Sequence, residues 1–385
     1  MFPPAKFDSI RCYDSRDLAR VFAALAADES FQRILGQLYG DKAMPAASLA
    51  EQLAKCQTTL DFQRTLIYPL VRNIISQHTD GTTFDASALP DKSVAYTFIS
   101  NHRDIVLDPA LLSLLMLDAG FTRTPQIAIG DNLLAAPWIE HVVRLNRAFI
   151  VRRSLNMRET LQASQLMSEY MHFTLLQTGD PIWIAQREGR AKDSNDRTQP
   201  AVLRMLAMGG EGTPAQSLAE MNIVPLALSY EYDPCDYLKA REFQLKRDNP
   251  DYCKTREEDV LNMQTGIFGY KGRVRFVAAP CIGGDILQLA DLPKNDFFRA
   301  VAERIDTDIH RRYHLFPGNY VAADLLAEMP RFADRYTPAE KATFEAYVQQ
   351  QLQRIQMAEP DWAFLRERLL TMYANPVHNH LAAHA

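Results

Sequence analysis

One histidine and one aspartate stand where an apolar strand gives way to a helix. Residues 94–99 form a short β-rich apolar run, which predicts a strand covered on both faces, and His102 follows it closely. Asp108 precedes Pro109, a pattern that predicts a helix N-cap followed by the first helical residue. Because open α/β sheets bind ligands beside the carboxyl ends of their strands, we expect His102 to line a crevice, with Asp108 as its partner and Asp104 as a second candidate.

The chemistry expected of such a pair is proton transfer. A neutral imidazole accepts a proton from an alcohol that attacks a carbonyl, and a carboxylate on its other nitrogen selects the tautomer and stabilises the imidazolium. The same spacing also fits a turn histidine beside a capping aspartate. The His102 and Asp108 pair therefore predicts either a general base with its orienting acid or a purely structural turn.

Three further segments deliver polar or cationic groups directly after apolar runs at 126–129, 148–151 and 181–185. Their polar residues, with the arginines that flank them, are Asp131, Asn132, Arg144, Arg147, Arg152, Arg153, Arg158, Arg187, Glu188, Arg190 and Lys192. Arginine forks suit phosphate, and Gly189 allows the backbone to approach a ligand closely. Each segment alone is also typical of a plain turn or a solvated charged loop. Because these three segments follow predicted strands, as His102 does, we predict that together they form a local anion site.

The alternation of apolar runs with helical stretches predicts the fold class. The strand candidates are residues 93–99, 126–129, 148–151, 181–185, 223–230 and 273–279. Helical stretches at 108–118, 156–177 and 200–208 separate several of them, which favours βα units. We therefore expect an α/β protein whose central, largely parallel sheet is flanked by helices, with an N-terminal helical domain and C-terminal helices.

The predicted organisation has three parts. Residues 1–80 carry helical periodicity and form the N-terminal helical domain, and turn-forming residues at 79–91 mark its boundary. Residues 81–290 form the α/β core, with a charged insertion at about 235–264 that we expect to be helical and solvated. Residues 291–385 form a C-terminal helical region.

Composition excludes some classes of protein. The chain of 385 residues has a net charge of −5, which argues against a nucleic-acid partner. Its five cysteines include no C-x-x-C pair and predict reduced thiols in a cytosolic protein. The start of the chain lacks a signal-peptide pattern, and the longest uncharged apolar stretches are far shorter than the roughly 20 residues of a membrane helix. We expect a cytoplasmic protein whose contact with a membrane is peripheral.

Taken in order, these segments resemble the four blocks of the glycerolipid acyltransferase family, which includes glycerol-3-phosphate and 1-acylglycerol-3-phosphate acyltransferases. The matching stretches are Asn101-His102 through Asp108-Pro109, Phe149-Ile150-Val151-Arg152-Arg153, Glu188-Gly189-Arg190 and Ile223-Val224-Pro225-Leu226-Ala227. The resemblance covers roughly residues 93–281. Within the family, the sequence resembles in particular the soluble, plastid-type glycerol-3-phosphate acyltransferases. In one departure, five residues separate His102 from Asp108 where the family usually has four, so the turn must absorb an extra residue.

The resemblance implies transfer of a fatty acyl group from an acyl-carrier-protein or coenzyme A thioester to a hydroxyl of glycerol 3-phosphate, in phospholipid biosynthesis. His102 is then the general base, Asp108 orients it, and the arginines at 152, 187 and 190 hold the phosphate. The substrate-binding residues that it implies are Asn132, Arg152, Arg153, Arg187, Glu188, Gly189 and Arg190. No metal or cofactor other than the thioester co-substrate is expected, and the protein is expected to act at the inner face of the membrane.

Two other functional classes stay open. A metal-dependent phosphoesterase is one, because Asn101-His102 and Gly130-Asp131 are similar to metal-ligand blocks of such enzymes, although the order of the blocks differs. A non-catalytic lipid-binding module with the same fold is the other. Within the acyltransferase reading, lysophosphatidate and an amino-acid lipid are the alternative acceptors.

Overall fold

The computed structural model describes residues 1–39, 46–134, 136–153 and 155–385, and in that part of the chain seven strands form one sheet. The strands are β1 (Thr82–Asp85), β2 (Thr97–Ser100), β3 (Gln126–Gly130), β4 (Ala148–Val151), β5 (Ile182–Ala185), β6 (Ile223–Tyr230) and β7 (Val274–Ala278). Their order across the sheet is β1-β7-β6-β2-β5-β3-β4, and every neighbouring pair is parallel except β6 and β7. The predicted α/β class with a largely parallel sheet is confirmed.

Helices precede, separate and follow the strands. They are α1 (Leu18–Ala27), α2 (Glu29–Tyr39), α3 (Ala46–Ala54), α4 (Thr59–Phe62), α5 (Tyr68–His78), α6 (Leu107–Asp118), α7 (Pro137–Leu145), α8 (Met157–Phe173), α9 (Pro200–Leu206), α10 (Pro214–Glu220), α11 (Asp236–Asp248), α12 (Arg256–Phe268), α13 (Gly283–Gln288), α14 (Lys294–Arg311), α15 (Pro317–Ala327), α16 (Pro338–Gln353) and α17 (Trp362–His384). Residues 40–45 of the predicted N-terminal helical domain lie outside the described residues. The division into three domains stays a prediction.

Both faces of the central strands are buried, because consecutive side chains of a strand point to opposite sides of the sheet. Phe98 and Trp183 contribute to the apolar core on one face. Ile99, Ile182 and Ile184 contribute to the core on the other face. A strand that is buried on both sides is largely apolar, which is why the sequence showed β2 and β5 within apolar runs, although Thr97 and Ser100 of β2 are buried polar residues.

Strand β1 is a correction to the sequence analysis, which assigned residues 79–91 to a turn-rich boundary. β1 has the sequence Thr-Thr-Phe-Asp, and its residues alternate between half-buried and exposed. It lies at the edge of the sheet and pairs in parallel with β7, with Thr82 opposite Val274. An edge strand of four mixed residues has no apolar run of its own, so only its pairing with a distant strand reveals it.

The insertion at 235–264 is helical, as predicted, and consists mainly of α11 and part of α12. The expectation that it is solvated is wrong for most of α11, because Tyr237, Leu238 and Ala240 are buried against α15, α16 and α17. It is right for residues 246–261, which are exposed or only partly buried. Buried charges of the helix are paired: Lys239 forms an ion pair with Asp233. Charged side chains that find partners can be buried, so composition alone misjudged this helix.

Candidate active site

Four adjacent strands deliver the predicted polar segments to one edge of the sheet. β2, β5, β3 and β4 are neighbours in that order and run parallel, so their carboxyl ends meet at the same edge. His102 follows β2, and the segment with Arg187 to Arg190 follows β5. Asn132 follows β3, and Arg152 follows β4. Segments up to about 90 residues apart in the sequence are therefore collected along one edge of the sheet, where open α/β sheets bind ligands.

His102 is paired with Asp108. The ring Nδ1 lies 2.7 Å from Asp108 Oδ2, the His102 side chain is 13% exposed, and the Asp108 side chain is fully buried. Because the carboxylate oxygen accepts, Nδ1 carries the proton and Nε2 carries the free lone pair. Within the described residues no protein group bonds to Nε2. The histidine therefore has a fixed tautomer and one basic nitrogen free for a ligand.

Asp108 is held by three further donors. The backbone N–H groups of Arg103 and Asp104 donate to Oδ2 at 2.7 and 3.0 Å. The hydroxyl of Tyr230, at the end of β6, donates to Oδ1 at 2.8 Å. Burial and the carboxylates of Asp108 and Asp104 raise the pKa of Tyr230 well above its ordinary value, so the hydroxyl keeps its proton. The buried Asp108 side chain thus has hydrogen bonds at both oxygens, which fixes its orientation toward His102.

The turn between the two residues absorbs the extra residue of this chain. Asp104 Oδ1 accepts from the N–H groups of Val106 and Leu107 at 2.9 and 2.7 Å, so Asp104 caps α6. The prediction that Asp108 is the N-cap is wrong, because α6 already begins at Leu107 and Asp108 lies in its first turn. Asp104, the second candidate partner, is committed to the cap, and burial with the nearby Asp108 carboxylate raises its pKa.

Ser100, Asn101 and Trp183 are buried next to His102 and hold the segment that carries it. The side chain of Asn101 donates to Leu228 O at 2.9 Å and accepts from Leu228 N–H at 2.8 Å, which extends the pairing of β2 with β6 beyond the end of β2. Trp183 of β5 donates to Ser100 Oγ at 3.0 Å, and its ring packs edge-on against His102 with centroids 5.5 Å apart. These contacts leave the imidazole little freedom to rotate away from Asp108.

Arg153 connects the remaining segments. Its backbone N–H donates to Asp131 at 3.2 Å, and its Nη1 donates to Glu188 Oε1 at 3.0 Å. A side chain at Gly130 would overlap both Asn132 and Arg153, which explains a glycine at the end of β3. The structure therefore brings Asn132, Arg153 and Glu188 together, as the sequence analysis expected of one site.

The other cations differ in availability. Arg152 is exposed and Arg187 is half-buried, and neither forms a hydrogen bond or ion pair with any residue the structure describes. Burial lowers the pKa of Arg190, but Cys235, Asp104 and Asp233 more than offset this, so the guanidinium lies among acidic neighbours. Gly189 has a φ of 66°, the left-handed backbone region that favours glycine. Arg152 and Arg187 are thus the two of these cations that are free to hold an anion.

Two arginines of the predicted anion segment serve the structure instead. Arg147 is buried, has a φ of 65° and forms an ion pair with Asp180 at 2.7 Å. Arg144 is buried, and its Nη2 donates to the backbone carbonyl of Asp8 at 3.2 Å. Both precede β4, so their position on the amino-end side of the strand places them away from the carboxyl edge.

Arg103 fixes the segment that follows His102. Its Nη2 lies 2.7 Å from Asp196 Oδ2, and both side chains are almost completely buried. Tyr313, just after the end of α14, donates to the same carboxylate oxygen at 3.1 Å. The backbone N–H that Arg103 gives to Asp108 is therefore anchored through its own side chain to the C-terminal helices.

Sequence reasoning missed Tyr230, Trp183 and Asn101 as parts of the site. Tyr230 and Trp183 appeared only as members of apolar strands, and Asn101 was noted for a possible metal-ligand pattern. One signal was available: a tyrosine or tryptophan in a buried strand needs a hydrogen-bond partner for its polar atom. That rule marks both strand residues, although it does not name their partners.

No group of three or more His, Cys, Asp or Glu side chains is placed to hold a metal ion in the residues described. None of the helices there is long and apolar enough to cross a lipid bilayer.

The fold and the site define an α/β protein with a histidine–aspartate pair and free arginines at one sheet edge. Residues 87–229, which include β2 to β6 except for the final tyrosine, match the family model described as Acyltransferase. Residues 87–229 of the chain therefore form an acyltransferase domain, and for this domain the predicted family and enzyme class are confirmed.

Comparison with whole proteins adds two findings. No sequence among the curated proteins matches the chain. Among solved structures, the chain is similar to the 1-acyl-sn-glycerophosphate (LPA) acyltransferase PlsC from Thermotoga maritima, with 10% sequence identity and a TM-score of 0.34. That similarity covers 75% of this chain and 96% of the other.

Proposed function

We propose that this acyltransferase moves a fatty acyl group from a thioester to a hydroxyl of a phosphorylated glycerol, with His102 as the general base. The observation that carries the proposal is the pairing of His102 Nδ1 with the buried Asp108 at 2.7 Å, which leaves Nε2 as the free base at the sheet edge. Glycerol 3-phosphate is the first acceptor that we propose, and lysophosphatidate is the second. The donor is acyl-coenzyme A or an acyl-carrier-protein thioester.

The proposed reaction needs one proton to move twice. The acceptor hydroxyl gives its proton to His102 Nε2 as its oxygen bonds to the thioester carbonyl carbon. The tetrahedral intermediate then collapses with cleavage of the C–S bond, and the imidazolium returns the proton to the leaving sulfur. The products are an ester and a free thiol, with no covalent enzyme intermediate. Asp108 stabilises the imidazolium between the two transfers.

The cations at the same edge support a phosphorylated acceptor. Arg152 and Arg187 have no described partner, and a planar guanidinium binds phosphate oxygens in pairs. We assign the phosphate contact first to these two residues. Arg190, surrounded by Asp104, Asp233 and Cys235, then shapes the pocket together with Gly189. Arg153, Glu188 and Asn132 complete the acceptor side.

A single set of incubations tests the proposal. Purified protein is mixed with radiolabelled acyl-coenzyme A or acyl-carrier protein and with glycerol 3-phosphate, lysophosphatidate or an unphosphorylated acylglycerol, and the labelled lipid is identified. We expect label in a phosphorylated product. His102→Ala should lower turnover by about a hundredfold or more, the usual contribution of general-base catalysis. Thioester that is consumed at the same rate by wild type and His102→Ala would contradict the assignment.

Two control arms separate the other functional classes. Arg187→Ala should raise KM for a phosphorylated acceptor by roughly tenfold and leave that for the unphosphorylated one unchanged, because only the former offers an anion. Treatment with a chelator should leave acyl transfer intact. Loss of activity with the chelator, together with release of phosphate before treatment, would identify a metal-dependent phosphoesterase. Lipid binding without any thioester consumption would identify a non-catalytic module.

A further inference from the structure

The first turn and a half of α8 is exposed on every side. Every residue from 157 to 162 is exposed, whereas buried positions in this helix begin at Met167. Met157 is 90% exposed and Leu161 is 62% exposed. These two residues are four apart in a helix, so they lie on the same face. The start of α8 therefore presents an apolar pair to its surroundings.

Positive charge accompanies this pair. Arg158, between them in sequence, is exposed, and so is Arg152 just before the helix. Neither has a hydrogen-bond or ion-pair partner in the described ranges of the chain. The nearby acid, Glu159, is held in a capping box, where its carboxylate accepts from Asn156 N–H at 3.0 Å. The exposed surface thus combines apolar side chains with free guanidinium groups.

The same surface lies close to the proposed active site. β4 ends at Val151 and α8 begins at Met157, so five residues connect the carboxyl end of the sheet to the helix. The six Cα-to-Cα steps from Val151 to Met157 reach at most about 20 Å. The start of α8 therefore lies within about 20 Å of the end of β4, whose carboxyl end belongs to the same sheet edge as that of β2.

We propose that Met157, Arg158 and Leu161, which we name the α8 tip, bind the surface of an anionic lipid bilayer. Apolar side chains enter the boundary between headgroups and acyl chains, and arginines are attracted to anionic headgroups. The inference rests on the proposed function in one respect: an acylated glycerol phosphate is an amphiphile that leaves the enzyme most readily into a bilayer. Docking through the α8 tip would keep the carboxyl end of β4 within about 20 Å of that bilayer.

The test measures binding to vesicles separately from catalysis. The full chain is sedimented with vesicles of phosphatidylcholine alone or of phosphatidylcholine with phosphatidylglycerol. We expect binding to the anionic vesicles that weakens in high salt. Met157→Ser with Leu161→Ser should lower the partition coefficient at least tenfold, since each buried side chain of this size contributes about tenfold. Arg158→Glu should remove most of the preference for anionic lipid.

A matched pair serves as the control. Met329 and Leu381 are also exposed, at 58% and 46%, and belong to the C-terminal region. Changing both to Ser should leave vesicle binding unchanged. Acyl transfer to a water-soluble acceptor should stay at the wild-type rate in the α8 tip variant, which shows that the variant is folded.

Each outcome decides between the two proposals. Equal vesicle binding by wild type and the α8 tip variant, or equal loss in the control pair, overturns the α8 tip as the docking surface. The same conclusion follows if wild type binds no vesicles, or if the variant changes only self-association in the absence of lipid. Vesicle binding that depends on the α8 tip, in a protein that consumes no thioester, would overturn the proposed function and leave the docking surface standing.

Discussion

Tyr230→Phe removes one hydroxyl that bonds to the carboxylate opposite the proposed general base. The Tyr230 hydroxyl lies 2.8 Å from Asp108 Oδ1, and both side chains are buried. A hydrogen bond to a charged group contributes about 1.5 to 3 kcal/mol, and 1.4 kcal/mol corresponds to a factor of ten in rate. If Asp108 then turns away from His102, we expect kcat to fall roughly 10- to 100-fold with little change in KM. The hydroxyl would act as a positioning group, because it contacts Asp108 and not the substrate.

The assay must separate positioning from a loss of stability. The unpaired buried carboxylate oxygen should lower the free energy of unfolding by about 1 to 3 kcal/mol, so rates are measured well below the unfolding temperature. Tyr96→Phe is the matched control, because the buried Tyr96 donates to the backbone carbonyl of Asp91 at the amino end of β2. That variant should lose some stability and keep its activity.

A double-mutant comparison gives the decisive result. In a His102→Ala background no imidazole remains to be oriented, so Tyr230→Phe should lower the residual rate by less than about twofold. A full 10- to 100-fold loss in that background would refute the positioning role, because Tyr230 would then act without His102. Equal activity of Tyr230→Phe and wild type would refute it as well.

Two further predictions concern stability. Burial raises the pKa of Asp236 from 3.8 to about 7, so folding stabilises its protonated form; this contribution is complete below about pH 4 and is lost as the pH rises to 7. The full loss is of the order of 4 kcal/mol of unfolding free energy. Between pH 5 and pH 8, the free energy of unfolding measured with urea should therefore decrease less in Asp236→Asn than in wild type. Equal decreases in the two proteins would contradict the assignment. A side chain at Gly266 of α12 would overlap the Asp104 carboxylate that caps α6, so Gly266→Ala should lower the free energy of unfolding by about 1 to 3 kcal/mol. Gly284→Ala is the control and should not lower the free energy of unfolding, because a Cβ at Gly284 meets open space. Equal urea midpoints for the two variants would show that the α6 cap tolerates the change at Gly266.

The sequence alone was sufficient for the central strands and for the order of the site segments. β2, β3, β4, β5, β6 and β7 all lie within or next to the predicted runs, because each of them is mostly apolar and largely buried. The parallel arrangement followed from the helices between them, and with it the expectation that His102 and the later arginines share one edge. These features depend on local patterns, which a single sequence displays.

Other features depended on contacts between distant parts of the chain. Asp104 and Asp108 are both near His102 in sequence, and only the folded turn assigns the first to the α6 cap and the second to the imidazole. Arg147 and Arg152 are both arginines that flank β4. Arg147, at the amino end of the strand, is buried and paired with Asp180, whereas Arg152, at the carboxyl end, is exposed and has no partner among the described residues.

The sequence by itself therefore determined which residue types reach the carboxyl edge of the sheet, because apolar periodicity fixes where each strand ends. The tertiary structure decided which of these side chains remain available for chemistry. Tyr230 contacts Asp108 across 122 residues of sequence, and the charged α11 is buried because its partners come from distant helices. Pairing of polar groups is settled by three-dimensional proximity and desolvation, and neither is encoded in the spacing of residues along one segment.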